Sequence, residues 1–391
     1  MASIIILSAE MRIKAMKKPF YELAQTRDVI RQFTPNWFTV TMGTGVVALI
    51  LPEFPFAHVF LMQIATWLWQ FNTLLFTAFT VLYLLRWLIY PQEAKQIFSH
   101  ASMGLFLGAI PMGLATIING FLKFGIPLYG DIALHIAQVL WYIDVALAVG
   151  VGLLVPFCMF SRQEHQLQTM TAVWLLPIVA CEVAATSGGL LLAHLPVNQE
   201  ALGILLGSYM LWGMSVLPAF AILTILMLRL ALYQLPSKEL AITGWLALGP
   251  IGTGALALLV LGAQAPHILQ IFNLESLGLF FQNAGIVCSF ILLGFGIWWF
   301  AIAVLITLSH AKKSLPFNLG WWGLTFPLGV FTLAILNLAQ QMNTQFLQDV
   351  GLAFATILMM LWIMVMVKTL KGMYQGNLFF SPCLKTFLEK Q

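Results

Sequence analysis

A chain of 391 residues that is 61% hydrophobic and only 8% charged lies far from the roughly 45–50% apolar and about 25% charged make-up of soluble domains. That composition excludes a soluble globular enzyme and identifies a polytopic membrane protein. The net charge of +4 is spread over many short loops and builds no phosphate-tracking stripe, which excludes a nucleic-acid partner.

Residues 1–34 hold six basic side chains but only a four-residue apolar run, too short for a signal-peptide core, so this segment is expected to stay on the chain. A bilayer core of about 30 Å needs about 20 apolar residues per helix, and ten such runs follow. Span 1, near 35–52, carries Thr41, Gly43, Thr44 and Gly45 in "TMGTG". Span 2 covers 64–90, and span 3, 101–120, holds Pro111 and Gly113 in "PMG". Span 4, 131–159, contains Asp144; span 5, 171–195, contains Pro177, Glu182, Thr186 and Ser187. Span 6 covers 201–233. Span 7, 240–262, has Pro250, Gly252 and Thr253 in "PIGT", and span 8 is the long run 277–309. Span 9, 318–339, is interrupted by "GWWGLTFPLG", which places Thr325, Phe326, Pro327 and Gly329 in its middle. Span 10, 347–370, leads to a short tail, 373–391. The expected organisation is a basic N-terminal segment 1–34, a ten-helix transmembrane domain 35–372, and that tail.

Lysine and arginine test this division independently, because they gather on the cytoplasmic side. With ten spans, 17 of 18 basic residues fall on the face that carries both termini: Arg12, Lys14, Lys17, Lys18, Arg27 and Arg31 before span 1, Arg86 and Lys95, Arg162, Arg229 and Lys238, Lys312 and Lys313, then Lys368, Lys371, Lys385 and Lys390. Lys123 alone falls on the other face. Both termini are therefore expected in the cytoplasm, in an inner or plasma membrane.

Odd and even spans differ. Even spans are long; odd spans are shorter and broken, three of them by Pro-x-Gly, with breaks 66 to 77 residues apart. That period is one helical hairpin. Irregular backbone at membrane depth must be shielded by protein or line a water-filled cavity, so five equivalent breaks belong around one axis. The expected fold is all-α: five hairpins around a central pore, with kinked odd helices inside and longer even helices outside. Gly43, Gly45, Pro111, Gly113, Pro177, Pro250, Gly252, Pro327 and Gly329 are the expected pore-lining kinks.

"GWWGLTFPLG" and "FTPNWFTVTMGTG" at 33–45, supported by "WYIDVAL" at 141–147 and "WLLPIVACEVAATSGG" at 174–189, resemble the tellurite-resistance/dicarboxylate transporter family. That family includes fungal malate permeases, yeast sulfite efflux pumps and plant slow anion channels, and the resemblance covers essentially the whole chain. It implies a homotrimer with one pore per subunit, transport of C4-dicarboxylate, sulfite or a smaller anion, and a phenylalanine plug that corresponds here to Phe326. In that position Pro327 is expected to bend the helix, and Gly323 and Gly329 to leave room beside the ring.

No Lys or Arg falls at the expected membrane centre. An anion there would rely on helix N-terminal amides, hydroxyls and the basic cytoplasmic rim; Thr41, Thr44, Thr186, Ser187, Thr253 and Thr325 are candidate pore liners. Asp144 and Glu182 are the acids well inside spans. An ionised carboxyl at mid-bilayer costs roughly 2.5–3.5 kcal/mol, so each must be protonated, paired or wetted. Asp144 suits a structural tie. Glu182 suits either such a tie or proton exchange during transport, and it is unexpected in a passive anion channel. Four scattered cysteines, Cys158, Cys181, Cys288 and Cys383, and seven dispersed histidines suggest no metal site. No nucleophile–base signature or Walker lysine is present, so no catalytic residue, metal or cofactor is called for. The expected activity is anion transport; a proton-coupled organic-acid carrier using Glu182, a membrane-embedded enzyme or a non-transporting sensor are the alternatives.

Overall fold

The computed structural model describes residues 18–311 and 315–389; the expectations for Arg12, Lys14, Lys17, Lys312, Lys313 and Lys390 lie outside the described residues. In chain order the principal helices are α1 (Phe38–Ile50), α2 (His58–Ile89), α3 (Ala109–Gly120), α4 (Asp131–Ser161), α5 (Leu176–Leu192), α6 (Gln199–Tyr233), α7 (Leu248–Gln270), α8 (Glu275–Ala311), α9 (Phe326–Met342) and α10 (Gln345–Gln375). No strand occurs among the described residues. Counted with their irregular extensions, the nine after α1 are long and apolar enough to cross a membrane. The exception, α1, has 13 residues, all buried, and is continued by 3-10 turns at Pro35–Trp37 and Leu51–Glu53.

Burial divides the helices by parity. In the four long odd segments 78 to 89% of the most apolar stretch is buried, against 17 to 33% in the five even ones. The odd helices close a ring by contact, α1 to α3, α3 to α5, α5 to α7, α7 to α9 and α9 back to α1, and each packs on the even helix that follows it. Because they are the same parity, the five inner helices run parallel, with their N-terminal ends on the face that carries the termini. The outer helices have 31 to 37 residues, longer than a bilayer core requires at about 1.5 Å per residue. They expose apolar side chains such as Val59, Phe160 and Leu217, as expected of a surface solvated by lipid.

The proline breaks are changes of helix type. Each inner helix begins as a 3-10 segment: Met103–Gly108 before α3, Ala172–Leu175 before α5, Ala241–Ala247 before α7 and Leu319–Leu324 before α9. The α form then takes over, with Pro111, Pro177, Pro250 and Pro327 all within its first three residues. A proline there removes an amide with no acceptor in its own α-helix, so it sets the junction without leaving a broken bond.

Gly43 and Gly45 differ from the expected kinks, because they lie inside unbroken α1. They are points of close approach: a β-carbon at Gly43 would overlap Thr325 and Trp322, and one at Gly45 would overlap Thr116 and Asn72. Gly113, Gly252 and Gly329 act likewise, against Thr41, the Phe331 backbone and Val46.

Outer helices satisfy inner-helix polar groups with indoles. Trp69 donates Nε1–H to Ile117 O at 3.2 Å, Trp141 to Ala184 O at 2.9 Å, Trp212 to Gly254 O at 2.9 Å, and Trp362 of α10 to Thr44 Oγ1 at 3.3 Å. Each runs from an outer helix to the next inner helix around the ring, and each gives the crowded inner layer a donor where water is absent.

Candidate functional site

Two vestibules lie on the axis of the inner ring. One, of about 540 Å³, opens on the face that carries the termini and is walled by the 3-10 segments, through Thr243 and Trp322, by Ser102 and Thr171, each directly before such a segment, and by the start of α1 at Thr39, among others. The second, of about 480 Å³, opens on the opposite, distal face and is walled by the α segments, through Val46, Thr116, Thr186, Thr253 and Val330. Among the described residues Phe326 alone lines both. Phe326 is 3% exposed, so an apolar ring occupies the partition between the two vestibules.

The sequence around Phe326 fixes that position. Phe326 is the first residue of α9, directly after the 3-10 segment. Thr325 closes the junction: its Oγ1 donates to Trp322 O at 2.7 Å, and its carbonyl accepts from Gly329 N–H at 2.8 Å. Trp322 in turn donates Nε1–H to Thr369 Oγ1 of α10 at 3.0 Å. The bare Cα of Gly43 lets α1 lie against this junction. Gly323 and Gly329 make room for Leu246 and Val46; Gly323 also lines the termini-face vestibule with Phe326, and Gly329 lines neither vestibule.

The other sequence-derived candidates separate into two groups. Thr186 and Thr253 share the distal vestibule with Phe326, and Pro327 lines the termini-face one. Thr186 Oγ1 donates to Glu182 O at 2.9 Å, whereas Thr253 Oγ1, on a residue 1% exposed, has no partner among the described residues. Thr41 donates to Phe38 O at 2.8 Å, Ser187 to Val183 O at 3.3 Å, and Thr325 and Thr44 are engaged as described. All four are fully buried and stand outside both vestibules, in keeping with the tendency of Ser and Thr to bond the helix backbone. Pro111, Pro177, Pro250 and the five glycines also stand outside them.

Asp144 and Glu182 are fully buried and line neither vestibule; Asp144 has no hydrogen-bond partner among the described residues, and the Glu182 carboxyl has the Ser215 hydroxyl beside it. Glu182 faces Ser215 of α6, and a side chain at Gly254 of α7 would begin 3.8 Å from its Oε2. It therefore sits between three helices, beside the axis and not on it.

One residue was not singled out from the sequence as a site. Lys123, on a π-helical turn at Phe121–Gly125 that interrupts the span-3 helix, lines the distal vestibule and is the one Lys or Arg that lines either vestibule among the described residues. Its Nζ meets Glu53 Oε1 at 2.5 Å and Leu49 O at 2.9 Å, and Glu53 Oε2 accepts from Gln340 Nε2 at 3.1 Å. The signal was present as the lone exception to the sidedness of charge. His194 lines the same space. No group of three or more His, Cys, Asp or Glu suited to holding a metal occurs among the described residues.

Residues 32–370 match the voltage-dependent anion channel (SLAC1) family. The sulfite efflux pump SSU1 of Arthroderma benhamiae is 36% identical over 355 residues, covering 89% of this chain and 93% of the relative. An uncharacterized transporter of Methanocaldococcus jannaschii is 28% identical over 353 residues, 90% and 96% of the two chains. The malic acid transport protein of Schizosaccharomyces pombe is 25% identical over 377 residues, 93% and 83%.

Proposed function

The chain belongs to the voltage-dependent anion channel family, and from that premise we propose that it carries sulfite or a similarly small oxyanion along the axis of its inner helical ring, with Phe326 as the gate. The observation that carries this reading is the place of Phe326 as the one residue common to both vestibules among the described residues. An apolar ring excludes hydrated ions until it moves. Sulfite is favoured over malate because the sulfite efflux pump shares 36% identity with this chain and the malic acid transport protein 25%.

The electrostatics suit weak, transient anion occupancy. Five parallel helices direct their N-terminal, partially positive ends toward the termini-face vestibule. They supply attraction there without a lining Lys or Arg among the described residues and offset Glu164 and Glu239, which line it. Sidedness of 17 of 18 basic residues supports a cytoplasmic location for that face and for the segments 1–34 and 373–391. A homotrimer rests on the family resemblance alone.

A second reading, proton-coupled carriage of organic acids, is supported by the fully buried Glu182 carboxyl, which has no cation beside it among the described residues and faces the Ser215 hydroxyl. Flux of sulfite, malate and chloride into liposomes containing the purified protein separates the two. Sulfite and chloride flux that needs no pH gradient supports the gated conduit. Malate uptake that collapses without a pH gradient supports the carrier, and no anion flux from folded protein contradicts both.

A further inference from the structure

The distal vestibule is poorly suited to an anion except at one point. The C-terminal, partially negative ends of α1, α5 and α9 border it at Leu49, Ala193 and Gln340, and Glu53 adds a formal charge. Against these stands Lys123, whose Nζ touches both sources of negative potential: Glu53, and the Leu49 carbonyl at the C-terminal end of α1. An ammonium group has three donors; two have these acceptors, and the third is left for the vestibule that Lys123 lines. The side chain is 29% exposed, so its desolvation is incomplete and it remains reachable. It is carried on a π turn, a local insertion that shifts the helix register and recurs at functional positions. One turn earlier Asn119 lines the same space, with an Oδ1 that has no partner among the described residues.

Resting on the conduit reading above, we propose that Lys123 is the anion-docking residue of the distal vestibule, and that Glu53 is a resident carboxylate which an arriving oxyanion displaces from it. Glu53 keeps a second donor, Gln340 Nε2 of α9, so the carboxylate is not stranded when Lys123 turns to an incoming anion. The exchange swaps one charge-assisted hydrogen bond for another, and because Lys123 and Glu53 already balance in the empty vestibule, a bound anion leaves it with excess negative charge, which favours passage over tight retention.

A structural clasp between α1, α3 and α9 would use the same contacts, and the two roles differ in sign. If Lys123 docks the anion, Glu53→Gln frees it and lowers the half-saturation concentration for sulfite flux about threefold, whereas Lys123→Met raises it about threefold to fivefold, the range for one partly screened charge contact. Lys123→Arg stays close to wild type. The measurement is concentration-dependent sulfite flux in liposomes on protein of unchanged size-exclusion profile. A second readout is independent of flux: the rate at which an amine-acylating reagent modifies Lys123 in purified protein, read by mass spectrometry. Sulfite slows that modification if it docks there, more so in Glu53→Gln. Same-sign effects of the two charge-removing changes, or no protection by sulfite in either protein, overturn the docking role even if anion flux itself is intact. Absent flux with protection present instead counts against the conduit reading while upholding the site.

Discussion

Replacing Phe326 by alanine is expected to open the conduit. Phe326 is 3% exposed, yet it has a vestibule of about 540 Å³ on one side and about 480 Å³ on the other, so it is buried by a thin collar of inner helices. Truncating a fully enclosed phenylalanine costs about 3–5 kcal/mol; with open space on two sides the low end, about 3 kcal/mol, is the appropriate figure. The same packing is lost whenever the wild-type ring swings out of the axis, so about 3 kcal/mol also bounds the cost of opening. At about 1.4 kcal/mol per tenfold, the open state of the wild type is populated on the order of one part in a hundred. Phe326→Ala should then raise anion conductance in planar bilayers about a hundredfold, and Phe326→Leu, which retains part of the apolar bulk, should fall between. The junction that supports α9 is made by Pro327, Thr325 and Trp322 and survives both changes. Unchanged conductance in Phe326→Ala protein that keeps its size and thermal midpoint would refute the gate.

Three further outcomes follow from the same geometry. In a cysteine-free background, a cysteine at exposed Ser237, after α6, should resist a membrane-impermeant thiol reagent in intact cells, while one at exposed Gln199, the first residue of α6, should react; the reverse pattern would invert the orientation. Glu182→Gln keeps size and hydrogen bonding but cannot ionise, so a conduit loses nothing, whereas a proton-coupled carrier loses pH-driven uptake and keeps counterflow at equal pH. Burial lowers the pKa of His100 below its ordinary 6.5, and its Nδ1 accepts from Ser102 N–H and Met103 N–H at 3.2 Å each. The unfolded chain therefore binds the proton more readily, and the stability that neutral His100 confers is present above pH 6.5 and lost as the pH falls below it. The thermal midpoint should drop between about pH 7.5 and about pH 5.5, and His100→Asn, which keeps an acceptor without titrating, should lessen that drop; an equal drop in both would discard this role.

The number of helices, their parity and their inner and outer roles are legible in the hydropathy, the sidedness of charge and the period of the proline breaks. These signals leave the helix ends less well marked. Span 7 was read to 262, yet α7 continues to Gln270 through Gln264, Pro266 and His267. Apolar content reports where the bilayer ends, and a helix can project beyond it. Span 3 likewise continues through the π turn to Tyr129. Pro-x-Gly marked the breaks, but a proline does not say whether a helix bends or changes from 3-10 to α, because both accommodate a missing amide.

The glycines of α1 carried the same ambiguity. Gly43 and Gly45 read as kinks along the chain, and only the neighbours Thr325, Trp322, Thr116 and Asn72 reveal them as contact points. Among the six hydroxyl candidates, pattern had no means of choosing: Thr186 and Thr253 line the distal vestibule, and the other four are turned to backbone or outer-helix partners. Lys123 was visible as an exception to a rule, and its contact with Glu53, 70 residues away in sequence, was not.

The central claim, a single axial route closed by Phe326, is tested most directly by access to Thr253, which lines the distal vestibule beyond the ring. In a cysteine-free background with Thr253→Cys, an impermeant thiol reagent is applied to sealed vesicles of either orientation. With Phe326 in place the cysteine should react from the distal face only; with Phe326→Ala added it should react from both. Reaction from both faces while Phe326 is intact, or from the distal face alone after its removal, would contradict the account.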